Sequence, residues 1–383
     1  MHARSGSTII LCRLGLVVLC VLAFATETRG QERAIAGWTG AASMAHARDT
    51  FTLTPLEDGR LLAAGGTTKG GFLTACEIYD PESDAWRATG ELTEPRHGHT
   101  ATRLRDGRVL VAGSWADGYS TRAEIFDPGN ESWTKVAPMQ NARDRHTATL
   151  LPDGRVLVAG GFSQGGALAS VEIYDPVADS WSEGAALPKP TAYHSAILLD
   201  DETLLIAAGE GQMRNYATAD LLDLKSGVYT SIDSLSVPHA YGQAAARLPQ
   251  GDVLIIGGEP NQPGSGASAL RQVERYSPAT KSWIVAASLK VPRFFHTATV
   301  LEGGWVLVAG GMTRAEPNPA RASTEILDPV SAQWSRGPGM AAGRARHCAQ
   351  RLADGSVLVV GGHGPDGTPL ASAEIFRRAM SDR

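Results

Sequence analysis

The sequence carries no block of like charge and no basic stripe. Its 35 Lys and Arg stand against 40 Asp and Glu, for a net charge of −5. A nucleic-acid binder shows a basic face or tract, so nucleic acid is not an expected partner. Cysteine is scarce, at four residues, and Cys12 and Cys20 lie close to the N-terminus. Cys76 and Cys348 are too few for the disulfide framework of a small secreted fold. No CxxC or HxxxH pair supplies a common structural zinc spacing. No metal and no cofactor is therefore expected. Long apolar runs are missing too, apart from Leu14 to Ala25. That run is too short to span a bilayer with comfort. With Arg4 and Arg13 before it and Ala23-Phe24-Ala25 at its end, it has the form of a secretory signal peptide cleaved after Ala25. The competing reading is an uncleaved anchor. A lipoprotein signal at Cys20 is disfavoured by the bulky Leu19.

What is present in quantity is glycine, 43 residues, in a chain that is 43% apolar. That combination describes a turn-rich globular protein. The glycines are organised. The segment Asp58–Gly66, DGRLLAAGG, returns as Asp106–Ser114, Asp153–Gly161, Asp201–Glu210, Gln250–Gly258, Gly303–Gly311 and Asp354–Gly362. Equivalent positions lie 48, 47, 48, 49, 53 and 51 residues apart. Within one unit, residues 143–151 form an extended segment. Pro152-Asp153-Gly154-Arg155 is a tight hairpin turn, because Asp-Gly favours the required backbone. Val156 to Ala159 is a buried β-branched strand. Val171 to Tyr174 is a third strand ended by Asp175-Pro176, and Trp181 opens a fourth. The spacing from Asp175 to Trp181 recurs at Asp80/Trp86, Asp127/Trp133, Asp223/Tyr229 and Asp328/Trp334, with Ser277/Trp283 as a variant. Four antiparallel strands in a repeat of this length make one propeller blade.

The Gly-Gly doublet, the Glu-x-Tyr-Asp-Pro segment and the spaced Trp resemble the kelch family over residues 36 to 377. The resemblance implies an all-β, seven-bladed kelch-type propeller. The seventh unit stops after its third strand at Ala373-Glu374-Ile375-Phe376-Arg377, while Trp38 belongs to a fourth strand lacking the other three. Residues 36–41 are thus expected to complete the seventh blade and close the ring, leaving no blade with an exposed edge. The expected division is a signal at 1–25, a leader at 26–35, the propeller at 36–377 and a tail at 378–383.

A residue that recurs in every blade does a job within that blade. Arg48, Arg96, Arg143, Arg293 and Arg344, and His99, His146, His194, His296 and His347, are read as structural on this ground. Function is sought where the repeats differ. In kelch propellers the loops leading into the first strand and those after the Gly doublet share one face. The first set carries Asp49, His97, Asp144, Arg145, Tyr193, Tyr241, Phe294, Phe295 and Arg346. The second carries Phe72, Trp115, Tyr119, Phe162, Arg214, Tyr216 and Arg314. The binding candidates are His97, Trp115, Asp144, Arg145, Tyr193, Tyr241, Phe294 and Arg346, an aromatic and charged set suited to a glycan or peptide. Two long loops, Glu259 to Gln272 and Met312 to Ser323, are neighbours in the ring; insertions on one face often mark the binding side, and the competing reading is neutral surface length, which costs little.

Ser114-Trp115 and Tyr193-His194 resemble active-site segments of galactose oxidase, another kelch propeller. In the register set by Trp115, however, its cross-linked Tyr falls on Gly98 and its Cys on Thr52. Its Tyr-His pair falls on Arg346-His347, and its C-terminal ligand domain is not expected here. A copper-radical centre is therefore not expected. Sialic acid mutarotases of kelch type have six blades, against seven here. The expected function is a secreted or periplasmic, monomeric binding module for a protein or glycan. The alternative is a carbohydrate-active enzyme using the same face.

Overall fold

The structure, a computed structural model, describes residues 37–212, 214–260, 269–313 and 319–378. The expected signal peptide and leader, Ala36, Arg314, part of each long loop and all but the first residue of the expected tail lie outside the described residues.

Each unit folds as the turn chemistry dictates. The Asp153 carboxylate accepts the Arg155 N–H at 3.0 Å, closing the turn between the first two strands. Asp58, Asp106 and Asp354 do the same at 3.1, 3.1 and 2.9 Å. In the third unit the strands run Thr147–Leu150, Val156–Ala159, Val171–Asp175 and Ser180–Glu183, hydrogen-bonded in that order. Seven such four-stranded antiparallel sheets are present among the described residues. In the seventh, Gly37–Ala41 pairs antiparallel with Ala373–Arg377, in register from Gly37 opposite Arg377 to Ala41 opposite Ala373. The ring is closed by the N-terminal strand, as expected.

The second strands are buried throughout, apart from the half-buried Thr203 that opens the one in blade 4; Val156, Val158 and Ala159 expose essentially no surface. The apolar clusters are shared between neighbouring blades: Leu110 and Ala112 of blade 2 pack with Val156, Val158 and Tyr174 of blade 3. The spaced aromatics add polar ties. Tyr174 lies opposite Trp181 across two strands, with ring centroids 4.9 Å apart. The Trp181 Nε1–H reaches back one blade to donate to Ala137 O at 2.7 Å. Trp86, Trp133 and Trp38 make the same reach to Ala42, Gly90 and Pro338.

The recurring charges are structural. Arg143 is completely buried and meets Glu172 of the third strand at 2.7 Å. Its Nη1 donates to Gly160 O and Ser170 O. Arg48–Glu77, Arg96–Glu124, Arg293–Glu325 and Arg344–Glu374 repeat this ion pair. The Gly doublet lies beneath it. A Cβ on Gly160 would sit 2.3 Å from Thr191 O, so no side chain fits. The recurring His residues link blades: Nε2 of His99, His146, His194 and His347 pairs with Thr52, Thr100, Thr147 and Thr297 of the preceding blade, at 2.8 to 3.0 Å. Burial holds these rings neutral; His99 is pushed down to about 3 and His194 to about 4.

Candidate functional site

Two residues beyond each buried Arg, or beyond Thr191 and His239 which replace it in blades 4 and 5, the backbone turns into the first strand. The residues at that turn are Thr50, Gly98, Arg145, Tyr193, Tyr241, Phe295 and Arg346. All seven adopt positive φ, and the six that are not glycine lie between 44° and 53°. A bulky or charged residue in this region carries a backbone cost of about 1–3 kcal/mol. The cost is met by a belt of hydrogen bonds between blades. The Arg145 N–H donates to Gly98 O, Tyr193 N–H to Arg145 O, Arg346 N–H to Phe295 O and Thr50 N–H to Arg346 O. Blade 5 has one extra residue, Gly242, in this turn, and there the side-chain amide of Gln243 donates to Tyr193 O instead.

The turns surround an axial cavity of about 320 Å³, lined among others by Thr50, Gly98, Arg145, Tyr193, Gln243 and Phe295. Gly98 has a specific task here. A Cβ at that position would lie 3.1 Å from both Arg145 Nε and Asp144 Oδ2, so its absence lets both side chains fold over blade 2.

Seven of the eight binding candidates form a chain of contacts that passes the mouth at Arg145 and Tyr193 and runs out to Trp115, and Phe294 meets it through Tyr241. Trp115 and His97 have centroids 6.2 Å apart. Arg145 Nη2 donates to His97 Nε2 at 2.9 Å, and His97 Nδ1 faces Trp115 O at 3.2 Å, which places the ring proton on Nδ1. Burial and the Arg145 charge push His97 down to about 4. Asp144 lies 3.6 Å from Arg145. Arg145 stands over the Tyr193 ring at 5.4 Å, and Tyr193 meets Tyr241 edge-on at 5.0 Å. Arg346 Nη2 donates to the Tyr241 hydroxyl at 3.2 Å and stacks over Phe295 at 4.3 Å. One expectation changes. Phe294 is not on the open face: it is 2% exposed and packs with Met312, Ala320 and Ala345. Its position in the chain puts it at the bridge to Met312, one residue before the ring, and Phe295 occupies the mouth.

The sequence reading missed two acids. The residue after the doublet is Thr67, Trp115, Phe162, Glu210, Glu259, Met312 or His363, by blade. Glu210 and Glu259 are neighbours and both buried. Desolvation pushes both carboxyls up to about 7, and for Glu259 the nearby Glu210 adds to it. Reading that column across the seven units would have exposed the pair. Burial likewise pushes Asp144 up to about 6, and its Oδ1 has no hydrogen-bond partner.

The comparisons with known proteins agree with this architecture. A family model described as the Kelch motif matches residues 58–93 and 145–188. Kelch-like protein 36 of Bos taurus is 36% identical over 69 residues, which is 18% of this chain and 11% of that protein. The Rattus norvegicus counterpart is 35% identical over the same length. The chain thus matches about a tenth of the length of these curated relatives. Among solved structures, a fungal alcohol oxidase of the AA5 family in complex with copper superposes with a TM-score of 0.75 at 15% identity, covering 90% of this chain and 76% of that one. YjhT superposes with a TM-score of 0.60 at 15% identity, covering 78% of this chain and 99% of that one. At such identity these two share the fold. With kelch motifs matched in two units and seven blades built on one repeat, this chain has the fold of a seven-bladed kelch-type β-propeller.

Proposed function

We propose that the chain is a secreted or periplasmic binding module that recognises a protein or glycan through its loop face. The observation that carries this reading is the ring of six non-glycine residues held at positive φ around the axial mouth. Strain of that kind persists where the surroundings hold a side chain in a required place. Here it presents Arg145, Tyr193 and Phe295 to one cavity, with Tyr241 and Arg346 packed against them. Rigid aromatics and guanidinium groups are the side chains that dominate recognition surfaces. The apolar N-terminal segment supports export. The test is capture of secreted proteins and of an array of glycans by the mature chain. Tyr241→Ala and Arg346→Ala should each weaken retention of the captured ligand at least tenfold while the melting temperature changes little. Retention unaltered in both variants would sink the reading. Export is checked by the N-terminal sequence of the protein recovered from the periplasm or medium, expected to begin at Thr26.

Asp144 favours a second reading, a carbohydrate-active enzyme. A buried carboxyl with an unpartnered oxygen, pushed up by burial to about 6, suits general acid-base work near neutrality. Turnover of a bound sugar that Asp144→Asn abolishes would establish it.

A further inference from the structure

We propose that the groove between blades 2 and 3 binds a neutral glycan, with one pyranose ring stacked on Trp115; the proposal rests on the loop face being the binding side. The groove lies off the axial cavity, is about 740 Å³ in volume and is built from three loops. Trp115 and Tyr119 come from the loop after the blade 2 strand, Gln140 and Asn141 from the approach to blade 3, and Gln164 from the loop after its doublet. This volume is within the range of small-ligand sites.

Trp115 is the anchor. It is 41% exposed, and it is the one aromatic among the exposed large hydrophobic residues of the described chain. Of the others, Val177, Val228 and Val330 lie in the turns after the third strands, and Ile284 and Val285 lie on an outer strand. The indole is set in place before any ligand arrives. The Trp115 backbone N–H donates to His97 O at 2.9 Å, and the Trp115 backbone bridges to Tyr119 across a tight loop. Phe72 of blade 1 meets the ring edge-on, with centroids 5.7 Å apart and planes at 86°. A flat, wet, fixed indole offers its face to the C–H side of a sugar ring.

The rest of the lining reads hydroxyl groups. Gln140, Asn141 and Gln164 supply amides, which donate and accept at once as a sugar hydroxyl does. The side chains of Gln140 and Gln164 make no hydrogen bond among the described residues. Asn141 is fixed by its Nδ2–H, which donates to Glu172 at 3.2 Å. The Glu172 carboxylate also accepts the Gln140 and Asn141 backbone N–H groups, so the buried Arg143 pair holds this wall of the groove. Charge decides between sugars. The lining has no Lys or Arg, and its single ionic group is the exposed Asp117. An acidic sugar would meet a carboxylate with no cation to receive it. The axial mouth, with Arg145 and Arg346, has the opposite preference.

The experiment uses the mature chain on an array holding neutral oligosaccharides and their sialylated and uronate-bearing counterparts. Binding of the neutral series, followed by titration of one ligand, is the expected result. Trp115→Ala should weaken that ligand about tenfold or more, a difference of about 1.4 kcal/mol. Trp115→Phe should fall between, and Gln164→Ala should lose several-fold. Melting temperatures within a degree of the parent would show that the exposed substitutions leave the fold intact. Retention of acidic glycans alone overturns the proposal, as does unchanged affinity in Trp115→Ala. If Tyr241→Ala abolishes glycan binding while Trp115→Ala does not, the sugar belongs to the axial mouth: the groove is then wrong and the binding-module reading stands. If no glycan is retained, the groove is again wrong, and capture of a secreted protein decides the broader reading separately.

Discussion

Arg143 shows how much a single repeated residue does in this propeller. Its guanidinium is fully buried, satisfies two backbone carbonyls and neutralises Glu172. Glu172 in turn caps the approach to the blade through Gln140 and Asn141. Removing one partner of a buried pair leaves an uncompensated charge, which costs about 3–5 kcal/mol. Arg143→Met is therefore expected to lose that much stability in urea unfolding, with a cooperative transition retained. A loss below about 1 kcal/mol would show the pair to be dispensable. Blade 4 bears on the same point. There Thr191 replaces the Arg, and Asp220 replaces the Glu and pairs with Ser231 at 2.6 Å instead. The cation leaves and a shorter carboxyl stays, with the Ser231 hydroxyl as its donor in place of the guanidinium.

At the scale of the element, the strand Gly37–Ala41 joins the two ends of the chain. It hydrogen-bonds along all of Ala373–Arg377, stacks Trp38 on Phe376 at 5.2 Å and ties Trp38 to Pro338 of blade 6. Without it the seventh blade has three strands and an open edge. Deletion of residues 26–42 should lower the melting temperature by on the order of 10 °C or more, given about 2–4 °C per kcal/mol in domains somewhat smaller than this. Trp38→Ala should produce a smaller drop in the same direction. An unaltered melting temperature in the deletion would show the strand to be passive. Elements of this kind were legible in the sequence because their signals are local. Asp153-Gly154 specifies a turn, the Val156–Ala159 run a buried strand, and the distance from Asp175 to Trp181 a cross-strand pair. The site was legible in part. Arg145, Tyr193, Tyr241 and Arg346 stand where the repeats disagree, and they do converge. Phe294 and Phe295 are adjacent and alike, and only the left-handed turn decides which of them faces the cavity. Glu210 and Glu259 escaped because their significance is relational: each is an ordinary loop carboxylate until the fold buries the two in adjacent blades.

The ring as a whole carries two opposing sets of buried titratable groups, and their balance sets how stability follows pH. Burial keeps His99, His146, His194, His296 and His347 neutral well below their usual range. An unfolded chain protonates these rings below about 6.5. Between that pH and about 4 the unfolded state binds more protons, so stability falls as pH falls. The buried acids act the other way. Asp144 holds its proton up to about 6, and Glu210 and Glu259 up to about 7. Unfolded carboxyls release theirs near about 4. Across the window from about 4.5 to 7 these three favour the folded state less with each step upward in pH, and their contribution is lost above it. The histidines outnumber the acids, so the acid limb is the steeper and the maximum should lie near about pH 6.5. Above it stability should decline until Glu210 and Glu259 are both ionised. The double variant Glu210→Gln, Glu259→Gln keeps the neutral shape of the protonated pair and removes that decline. Urea midpoints at pH 4, 6.5 and 8 are the measurement. The variant should match the parent at pH 4 and exceed it at pH 8. A parallel fall of both proteins between pH 6.5 and 8 would mean that the pair ionises in the folded ring at little cost.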